Sequence, residues 1–367
     1  MMIPLFEHYP LLKDRLLYVS LGEFTTPVEK LDRLGRDIGL DHLYIKRDDL
    51  SGRVYGGNKV RKLEFLLGHA LHSKTKEVLT FGFAGSNHAL ATAIYAQQVG
   101  LKSISMLMPQ PNAHYVRRNL LMSYCCGAEL HQHWNIQLLA VGTICQLLRH
   151  KLKNGHFPQI ISAGGSSPLG AIGYVNAAFE LKEQIMKRKI PEPDHIYVAL
   201  GTMGTAVGLT LGLKAANLKS RVISVRVADE KFANTRKMVK LFRKTNAFIN
   251  SLDPSFPKFE ISEKDIDIRH EFFGEKYALF TEAGMEAVAC MEKKEGIKLD
   301  GTYTGKAFVA LMDDAKKQDL KNKVVLFWNT YNSKDFSDVI ATLDYRQLPR
   351  YFHRYFEQEV QPLDRHS

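Results

Sequence analysis

The sequence Val54-Tyr55-Gly56-Gly57-Asn58-Lys59-Val60-Arg61-Lys62-Leu63-Glu64 places Lys59 directly after a glycine pair and at the start of a helical pattern. Leucines at positions 63, 66 and 67 recur at helical spacing, with charged residues between them. Glycines carry no side chain, so they would leave room beside the lysine for a flat ring. A lysine amine whose pKa is lowered by its surroundings can form a Schiff base with an aldehyde. The alternative is an exposed lysine after a turn, the environment of most of the 50 Lys and Arg residues.

Strands and helices alternate around this stretch. Apolar runs predict strands near residues 43–46, 78–82, 103–108, 128–131, 159–162, 195–200, 221–227 and 324–328. Helical spacing predicts helices near residues 87–99, 115–125, 136–152, 170–189, 282–294 and 304–316, and an irregular segment over 250–267. The strands look buried on both faces, which is typical of parallel sheets covered by helices. The sequence therefore predicts an α/β protein with mostly parallel sheets and helices on both faces.

The composition is that of a soluble globular protein. With 367 residues the chain is expected to form two domains or one large one. Apolar residues make up 45% and charged residues 24%, with no apolar run long enough for a membrane helix and no visible secretory signal. The four cysteines (Cys125, Cys126, Cys145 and Cys290) show neither metal spacing nor disulfide density. We therefore expect free thiols, no metal site and a cytoplasmic location.

The net charge of +11 raises the question of a nucleic-acid partner. One modest basic cluster runs from Lys231 to Lys244 on a probable helix, where Phe232, Val239, Phe242 and Phe248 would face inward. This pattern favours a solvated helix face, and no zinc-finger spacing or RNA-binding aromatic motif accompanies it. The sequence thus predicts no nucleic-acid and no membrane partner, and the charge would attract anionic small molecules.

Two loops after predicted strands carry polar groups where ligands bind in parallel sheets. In Ala84-Gly85-Ser86-Asn87-His88, the serine and asparagine could cap the next helix, or they could hydrogen-bond a carboxylate or a phenolate oxygen. In Gly201-Thr202-Met203-Gly204-Thr205, backbone N–H groups and threonine hydroxyls could hold a phosphate. A dinucleotide loop is the alternative, since Asp229 follows the next strand. Met203 stands where the second glycine of that motif belongs, so a terminal phosphate suits the loop better.

A third loop, Asp300-Gly301-Thr302-Tyr303-Thr304-Gly305-Lys306, places a tyrosine and a threonine at the start of a helix. Tyr303 could be a core residue whose hydroxyl finds one partner, or it could face a ligand. Each loop is weak evidence alone. A lysine, a Ser-Asn loop, a phosphate loop and a Tyr-Thr pair in this order form a specific combination.

This combination resembles the fold type II pyridoxal-phosphate enzymes, and more narrowly the family of D-cysteine desulfhydrase and 1-aminocyclopropane-1-carboxylate (ACC) deaminase. The resemblance runs from about Thr26 to Phe327 and implies a tryptophan synthase β-like fold of two open, twisted sheets. It also implies pyridoxal 5'-phosphate as cofactor, a small amino-acid substrate and a homodimer. Residues 1–64 and 173–367 would form the large cofactor-binding domain, and residues 65–172 the small α/β domain. The blocks that carry it are Ile45-Lys46-Arg47-Asp48-Asp49, residues 56–64, Gly85-Ser86-Asn87-His88, Gly164-Gly165-Ser166, Gly173-Tyr174-Val175 and Tyr303-Thr304-Gly305-Lys306.

The resemblance assigns roles to single residues. Lys59 would bind the cofactor as a Schiff base and later move the α-proton. Asn87 would hydrogen-bond the ring hydroxyl, and Ser86 would bind the substrate carboxylate. Tyr303 would lie over the substrate, and Tyr277 matches a second family tyrosine. The other implied cofactor-binding residues are Asn58, the phosphate loop Gly201, Thr202, Met203, Gly204 and Thr205, and the two neighbours of the pyridine nitrogen, Thr304 and Thr330.

One position distinguishes the two activities of this family. ACC deaminases carry Glu after the tyrosine, where this chain has Thr304. A carboxylate there keeps the ring nitrogen protonated and strengthens the electron sink, which a substrate without an α-proton needs. We therefore expect a lyase that performs α,β-elimination on D-cysteine or a related D-amino acid, giving pyruvate, ammonia and sulfide. The alternative is ACC deamination to 2-oxobutanoate and ammonia.

Several positions depart from the family pattern. The chain has Asn329-Thr330-Tyr331-Asn332 where His-Thr-Gly-Gly is usual, and the larger side chains could reshape the pocket. Met203 replaces a glycine of the phosphate loop, Gly85 replaces a glutamine, and Ala278 follows Tyr277 where glycine is usual. The altered 329–332 loop leaves a non-catalytic cofactor-binding protein as a further alternative. A nicotinamide oxidoreductase would make Lys59 and the Ser-Asn pair coincidental.

Overall fold

The computed structural model describes residues 3–317 and 320–365. The helices in this part of the chain are α1 (Pro4–His8), α2 (Leu12–Arg15), α3 (Asp32–Ile38), α4 (Asn58–His72), α5 (Asn87–Gln98), α6 (His114–Cys125), α7 (Ile136–Asn154), α8 (Pro168–Met186), α9 (Gly204–Ala215), α10 (Thr235–Leu252), α11 (Glu282–Glu295), α12 (Thr304–Lys317), α13 (Ser337–Ile340) and α14 (Arg354–Glu357). The strands are β1 (Val28–Lys30), β2 (Leu43–Arg47), β3 (Glu77–Phe83), β4 (Lys102–Met108), β5 (Glu129–Gln132), β6 (Gln159–Ile161), β7 (His195–Leu200), β8 (Arg221–Arg226), β9 (Asp267–Arg269) and β10 (Val325–Asn329).

The described residues form two compact units. The first runs to Phe65 and resumes over Ser166–Ser333, and the second holds Leu66–Gly165 and the described residues from Lys334 onward. The first boundary falls inside α4, so Lys59 belongs to the first unit. The sequence prediction assigned the tail from residue 334 to the larger domain, whereas the structure groups it with the smaller one.

The sheet of the first unit has the order β1-β2-β10-β7-β8-β9. Only β1 runs antiparallel to its neighbour; the other pairs are parallel. Alternate residues of β10 enter two different cores: Leu326 and Trp328 pack on one face and Phe327 on the other. Burial on both faces explains the continuous apolar runs of these strands. The prediction of mostly parallel, doubly covered sheets is confirmed. The prediction of an irregular segment over residues 250–267 is wrong at the end of that segment, because β9 begins at Asp267.

The sheet of the second unit has the order β5-β4-β3-β6, and all its pairs are parallel. Leu79, Ile104 and Met106 on one face of this sheet pack against Leu139 of α7. The register aligns Leu79 with both Ile104 and Ile160, so these three side chains point to the same face.

Four buried charges join α4 to β2 and α8 within the first unit. Arg61 forms ion pairs with Asp48 at 2.7 Å and with Glu180 at 2.8 Å, and Lys46 pairs with Glu180 at 2.5 Å. All four side chains are at most 1% exposed. A Cβ on Gly173 of α8 would lie 2.1 Å from the carbonyl oxygen of Arg61, so only glycine permits this approach of α8 to α4. These contacts fix the helix turn that carries Lys59.

The basic helix α10 buries Val239 and Phe242 and leaves its lysine and arginine side chains on the surface, as the helical spacing predicts. The prediction that Phe232 faces inward is wrong. Phe232 precedes the first residue of α10, Thr235, and is 40% exposed. The helical periodicity therefore does not apply at that position.

The tail packs on the second unit through Tyr355 of α14. Its hydroxyl accepts hydrogen bonds from the backbone N–H of Gln110 at 3.2 Å and the side chain of Gln132 at 3.3 Å. Arg117 donates to the Tyr355 carbonyl at 2.7 Å. These bonds explain why the tail clusters with the second unit.

The described residues contain no helix with the length and apolar character needed to cross a bilayer. All four cysteines are free thiols. In the described ranges no group of three or more His, Cys, Asp or Glu side chains could hold a metal ion.

Candidate active site

Lys59 is the second residue of α4 and lies in its first turn. Burial lowers the pKa of its amine to about 8, although the charge of Asp300 partly opposes this shift. At pH 7 about one amine in ten would then be neutral, compared with about one in a few thousand for an ordinary lysine. Lys59 therefore has the environment of a nucleophilic lysine rather than of an exposed one.

The glycines before Lys59 allow the backbone of neighbouring segments to approach closely. A Cβ on Gly56 would lie 2.0 Å from the carbonyl oxygen of Asp49, and one on Gly57 would lie 2.8 Å from that of Thr330. Gly57 has a φ of +86°, which favours glycine. Asn332 accepts a hydrogen bond from the Gly56 N–H at 2.7 Å. The expectation that both glycines leave room for a flat ring is therefore wrong, because the 49 and 330–332 segments fill that space.

The loop Gly201–Thr205 lies between β7 and the start of α9. Ser166 donates to the Thr202 hydroxyl at 2.8 Å and accepts from the Gly204 N–H at 3.0 Å. Asn58 donates to the Thr205 hydroxyl at 3.0 Å. The structure thus brings Asn58 and the predicted phosphate loop together around the start of a helix, where backbone N–H groups favour anions.

Lys62 joins this loop, although no sequence motif predicted a role for it. Its Nζ lies 3.5 Å from the Ser166 hydroxyl oxygen, and a Cβ on Gly204 would lie 3.1 Å from the same Nζ. Burial, and then the charge of Lys59, hold the pKa of Lys62 well below its usual range. A bound anion would offset the cost of charging this amine. The signal in the sequence was its spacing, because residues three apart share one helix face.

Tyr277 and Tyr303 lie together in the first unit. Their hydroxyls are hydrogen-bonded to each other, and their rings meet edge-on with centroids 6.3 Å apart. Burial raises the pKa of Tyr277 to about 12, so this phenol keeps its proton at neutral pH. Lys306 donates to the carbonyls of Phe273 and Leu279 at 2.6 and 2.7 Å, and so holds the segment that carries Tyr277.

Thr304 is tied to Asp300, which the sequence analysis did not single out. The Thr304 hydroxyl donates to an Asp300 carboxylate oxygen at 2.6 Å and accepts from the Asp300 N–H at 2.8 Å. The carboxylate also accepts from the N–H groups of Tyr303 and Thr304. Burial raises the pKa of Asp300 despite these bonds. The Thr304 proton is thus committed to a buried acid, which leaves its oxygen as an acceptor for a ligand.

Thr330 contributes through its backbone. Its carbonyl accepts a hydrogen bond from the N–H of Asn58 at 3.2 Å. The loop that carries it, residues 329–332, is therefore fixed against the start of α4. This contact brings the backbone of Thr330 next to the lysine segment.

Ser86 and Asn87 belong to the second unit, at the start of α5. Ser86 caps the helix by accepting from the Ala89 N–H at 3.1 Å, so the capping interpretation is correct for its oxygen. Its hydroxyl still carries a proton that can be donated. The Asn87 side-chain oxygen accepts from Asn119 at 2.9 Å, which fixes the orientation of its amide. His88 is buried.

Comparisons with known proteins show the family to which the chain belongs. The chain matches the family described as Pyridoxal-phosphate dependent enzyme over residues 19–330. One relative is the mitochondrial bifunctional D-cysteine desulfhydrase/1-aminocyclopropane-1-carboxylate deaminase of Arabidopsis thaliana. The two sequences are 33% identical over 324 residues, which cover 85% of this chain and 77% of the relative. The chain is also 31% identical to the D-cysteine desulfhydrase of Serratia proteamaculans, covering 83% of this chain and 90% of the relative.

Among solved structures, the chain is similar to one described as an ACC deaminase homologue. The TM-score is 0.75 at 31% identity, and the match covers 93% of this chain and 99% of the other. The fold type II assignment made from the sequence blocks is confirmed. The chain belongs to the family of pyridoxal-phosphate dependent enzymes.

Proposed function

We propose that the chain is a lyase that eliminates the thiol from D-cysteine or a related D-amino acid. The overall reaction takes one D-cysteine and one water to pyruvate, ammonia and hydrogen sulfide, with no net oxidation. The observation that carries this proposal is that Asp300, whose charge acts on the buried amine of Lys59, is hydrogen-bonded by a hydroxyl, not a carboxylate, at position 304. The relatives named above supply the substrate class.

The residues of the first unit fit pyridoxal 5'-phosphate. Gly204 leaves open a position that a Cβ would fill, 2.6 Å from the Ser166 oxygen and 3.1 Å from the Lys62 nitrogen. Backbone N–H groups at the start of α9 and two threonine hydroxyls complete a donor set suited to a phosphate dianion. We propose that Lys59 binds the cofactor aldehyde, that Thr202, Thr205 and Lys62 hold its phosphate, and that Ser166 orients the Thr202 hydroxyl.

The cofactor, when bound, supplies the electron sink for the charge left at the substrate α-carbon. Lys59 would take the α-proton, because its amine is neutral in a useful fraction of molecules at neutral pH. The Tyr277 and Tyr303 hydroxyls are hydrogen-bonded to each other and either oxygen can be the donor, so a phenol proton lies between the two rings. We propose that this proton goes to the departing thiolate.

For the second unit we propose that Ser86 binds the substrate carboxylate with its remaining hydroxyl proton and that Asn87 binds the cofactor's ring hydroxyl. The bond from Asn119 supports the second role, since it fixes which end of the Asn87 amide carries the donors. Thr304 is the proposed neighbour of the pyridine nitrogen, with Thr330 as the other candidate.

A second activity, ACC deamination, is favoured by one observation. The Asp300 carboxylate lies one hydrogen bond behind the Thr304 hydroxyl, at 2.6 Å, and could transmit part of the effect of a glutamate. One purified, cofactor-loaded sample given D-cysteine, L-cysteine and ACC in turn decides between the activities. We expect sulfide and pyruvate from D-cysteine and little 2-oxobutanoate from ACC, with Lys59→Ala as the inactive control. Turnover of ACC alone would reverse the choice, and no 2-oxo acid from any of the three would favour a non-catalytic binding protein.

We also propose a homodimer in the cytoplasm. The family resemblance supports the dimer, and the four free thiols suit a reducing compartment. Sedimentation of the purified chain tests the dimer, and fractionation of the source cells tests the location.

A further inference from the structure

The helix α7 (Ile136–Asn154) carries apolar side chains on both of its faces. Its inner face buries Leu139, Thr143 and His150. Its outer face, called the α7 outer face below, consists of five side chains that are 48–87% exposed: Leu138, Val141, Ile144, Leu148 and Leu152. A surface helix normally turns polar residues to water, whereas a helix that is apolar all round is normally covered on both sides.

The apolar surface continues beside the helix. Ile160 lies on β6, the edge strand of the sheet, and is 52% exposed. Its register with Leu79 places its side chain on the same face of the sheet that α7 covers. The α7 outer face and Ile160 therefore belong to one side of the second unit.

The size of this surface matches one half of a dimer contact. Its exposed side chains amount to on the order of 600 Å², at the upper end of the largest apolar patches on monomers and near the roughly 800 Å² that each partner of a stable complex buries. In the first unit, the exposed large apolar side chains lie instead in loops or at helix ends; they are Leu11, Leu50, Val54, Met186 and Phe232. Among the helices of the described residues, α7 thus carries the most exposed large apolar side chains.

The charges of α7 favour one orientation of the second copy's α7 helix. The basic residues of α7 are Arg149, Lys151 and Lys153, all near its end, and residues 136–148 carry no charge. Two copies paired side by side in the same direction would place these like charges together. Antiparallel pairing about a two-fold axis sets each basic end against the uncharged start of the other helix, and it also opposes the helix dipoles.

We propose that the α7 outer face is the contact between two copies of this chain, paired antiparallel near Ile144 and Leu148. This inference makes the homodimer proposed above specific, and it is independent of the substrate.

The test is sedimentation of the full-length, cofactor-loaded protein and two variants. Leu148→Glu places a charge at the centre of the contact, so its dissociation constant should rise at least 100-fold and the chain should run as a monomer. Met186→Glu is the matched control, because Met186 is 71% exposed and lies outside this face; it should remain a dimer. Circular dichroism should show both variants folded, since both side chains are exposed.

Thiol labelling gives a second measurement that needs no substitution. Cys145 is exposed on the outer side of α7, and Cys125, exposed at the end of α6, is an internal reference. In the dimer Cys145 should react at least ten times more slowly than Cys125, and dilution to the monomer should remove the difference.

A Leu148→Glu variant that remains a dimer and in which Cys145 reacts freely overturns the proposal in favour of another contact surface. A monomeric parent chain overturns it too, and binding of that monomer to anionic phospholipid vesicles through α7 would assign the face to a membrane. Failure to turn over D-cysteine would leave these results unaffected.

Discussion

Lys59 and Lys62 stand one helical turn apart on α4, and burial lowers the pKa of both amines. Two neighbouring buried amines disfavour each other's charge, so at least one of them is poised to be neutral near physiological pH. The proposed roles divide accordingly: Lys59 reacts with the cofactor aldehyde while neutral, and Lys62 pairs with the phosphate while charged. Each role makes a separate prediction.

For Lys59 we predict a pH-dependent rate of covalent cofactor incorporation. The amine must be neutral to attack an aldehyde, and a lowered pKa moves that condition down to about pH 8. In cofactor-free protein, the rate of borohydride-trapped incorporation should therefore rise from pH 7 to 9 with a midpoint near 8. An ordinary lysine would give a midpoint above 10. Lys59→Arg should trap no cofactor, and a rate that is flat from pH 7 to 9 would contradict the assignment.

For Lys62 we predict a loss of affinity that depends on the ligand's phosphate. Lys62→Met removes one charged hydrogen-bond donor, worth about 1.5–3 kcal/mol, so pyridoxal 5'-phosphate should bind roughly 10–100-fold more weakly. Pyridoxal, which lacks the phosphate, should bind both proteins equally. Equilibrium titration with the two ligands measures the difference. An equal loss for both would mean that Lys62 acts on the fold of α4 instead.

Met203 and Ala278, which stand where the family pattern has glycine, adopt a backbone conformation that favours glycine. Met203 has a φ of +71° and Ala278 a φ of +65°, both in the left-handed region. Side chains there cost roughly 1–2 kcal/mol, so Ala278→Gly should leave the free energy of unfolding unchanged or raise it by up to about 1 kcal/mol. The same change at the exposed helical position Ala247 should lower it by about 1 kcal/mol. Urea unfolding compares the two, and a clear loss at position 278 would show that its methyl group packs usefully.

At the scale of elements, α4 is held by the buried charges of β2 and α8. Glu180 is central because it pairs with both Arg61 and Lys46. Burial alone would raise the pKa of Glu180, but these two charges hold it at about 2. A carboxylate with a lowered pKa stabilises the fold above its unfolded value of 4.5, and this contribution is lost as the pH falls from 4.5 towards 2. The shift corresponds to about 3 kcal/mol.

We therefore predict that Glu180→Gln lowers the free energy of unfolding by about 3 kcal/mol at pH 7, because it leaves buried positive charges in excess. The difference from the parent protein should narrow as the pH falls below 4.5. Glu183→Gln, one turn along α8 at a partly exposed site, should cost less than about 0.5 kcal/mol. Chemical denaturation at pH 7, 5 and 4 measures both. A gap that stays constant over this range would rule out the proposed titration.

Local patterns were sufficient for most elements and insufficient for contacts between distant segments. Apolar runs and helical spacing predicted β2, β3, α4 and α5, since each is decided by its own residues. The two edge strands β1 and β9 were not predictable, because a strand of three residues is too short to show a periodic pattern. At the site, single residues such as Lys59 could be found from motifs. Asp300 and Ser166 emerged only when the fold placed them beside Thr304 and Gly204.

At the scale of the whole molecule, the path of the chain decides which distant segments pack together, and local sequence patterns do not predict this. The tail from Lys334 returns to a unit built from residues 66–165, and no sequence periodicity encodes that return. Its main anchor, Tyr355, is 1% exposed and uses both its ring and its hydroxyl. The tail is rich in aromatic and basic residues, and this composition does not by itself decide between packing on the same chain and a contact with another subunit.

We predict that Tyr355→Ala releases the tail. Removing a buried aromatic side chain costs roughly 3–5 kcal/mol, and the Gln110 N–H loses its acceptor as well. Trypsin should then cut at the exposed Arg346 and Arg350 at least ten times faster than in the parent protein. Val339→Ala, at a 41% exposed position of α13, should leave the cutting rate unchanged. Cutting at the parental rate in Tyr355→Ala would mean that other contacts hold the tail. The anchor would then have to be sought among the bonds of Asn112 and Arg117 to the backbone of residues 355–359.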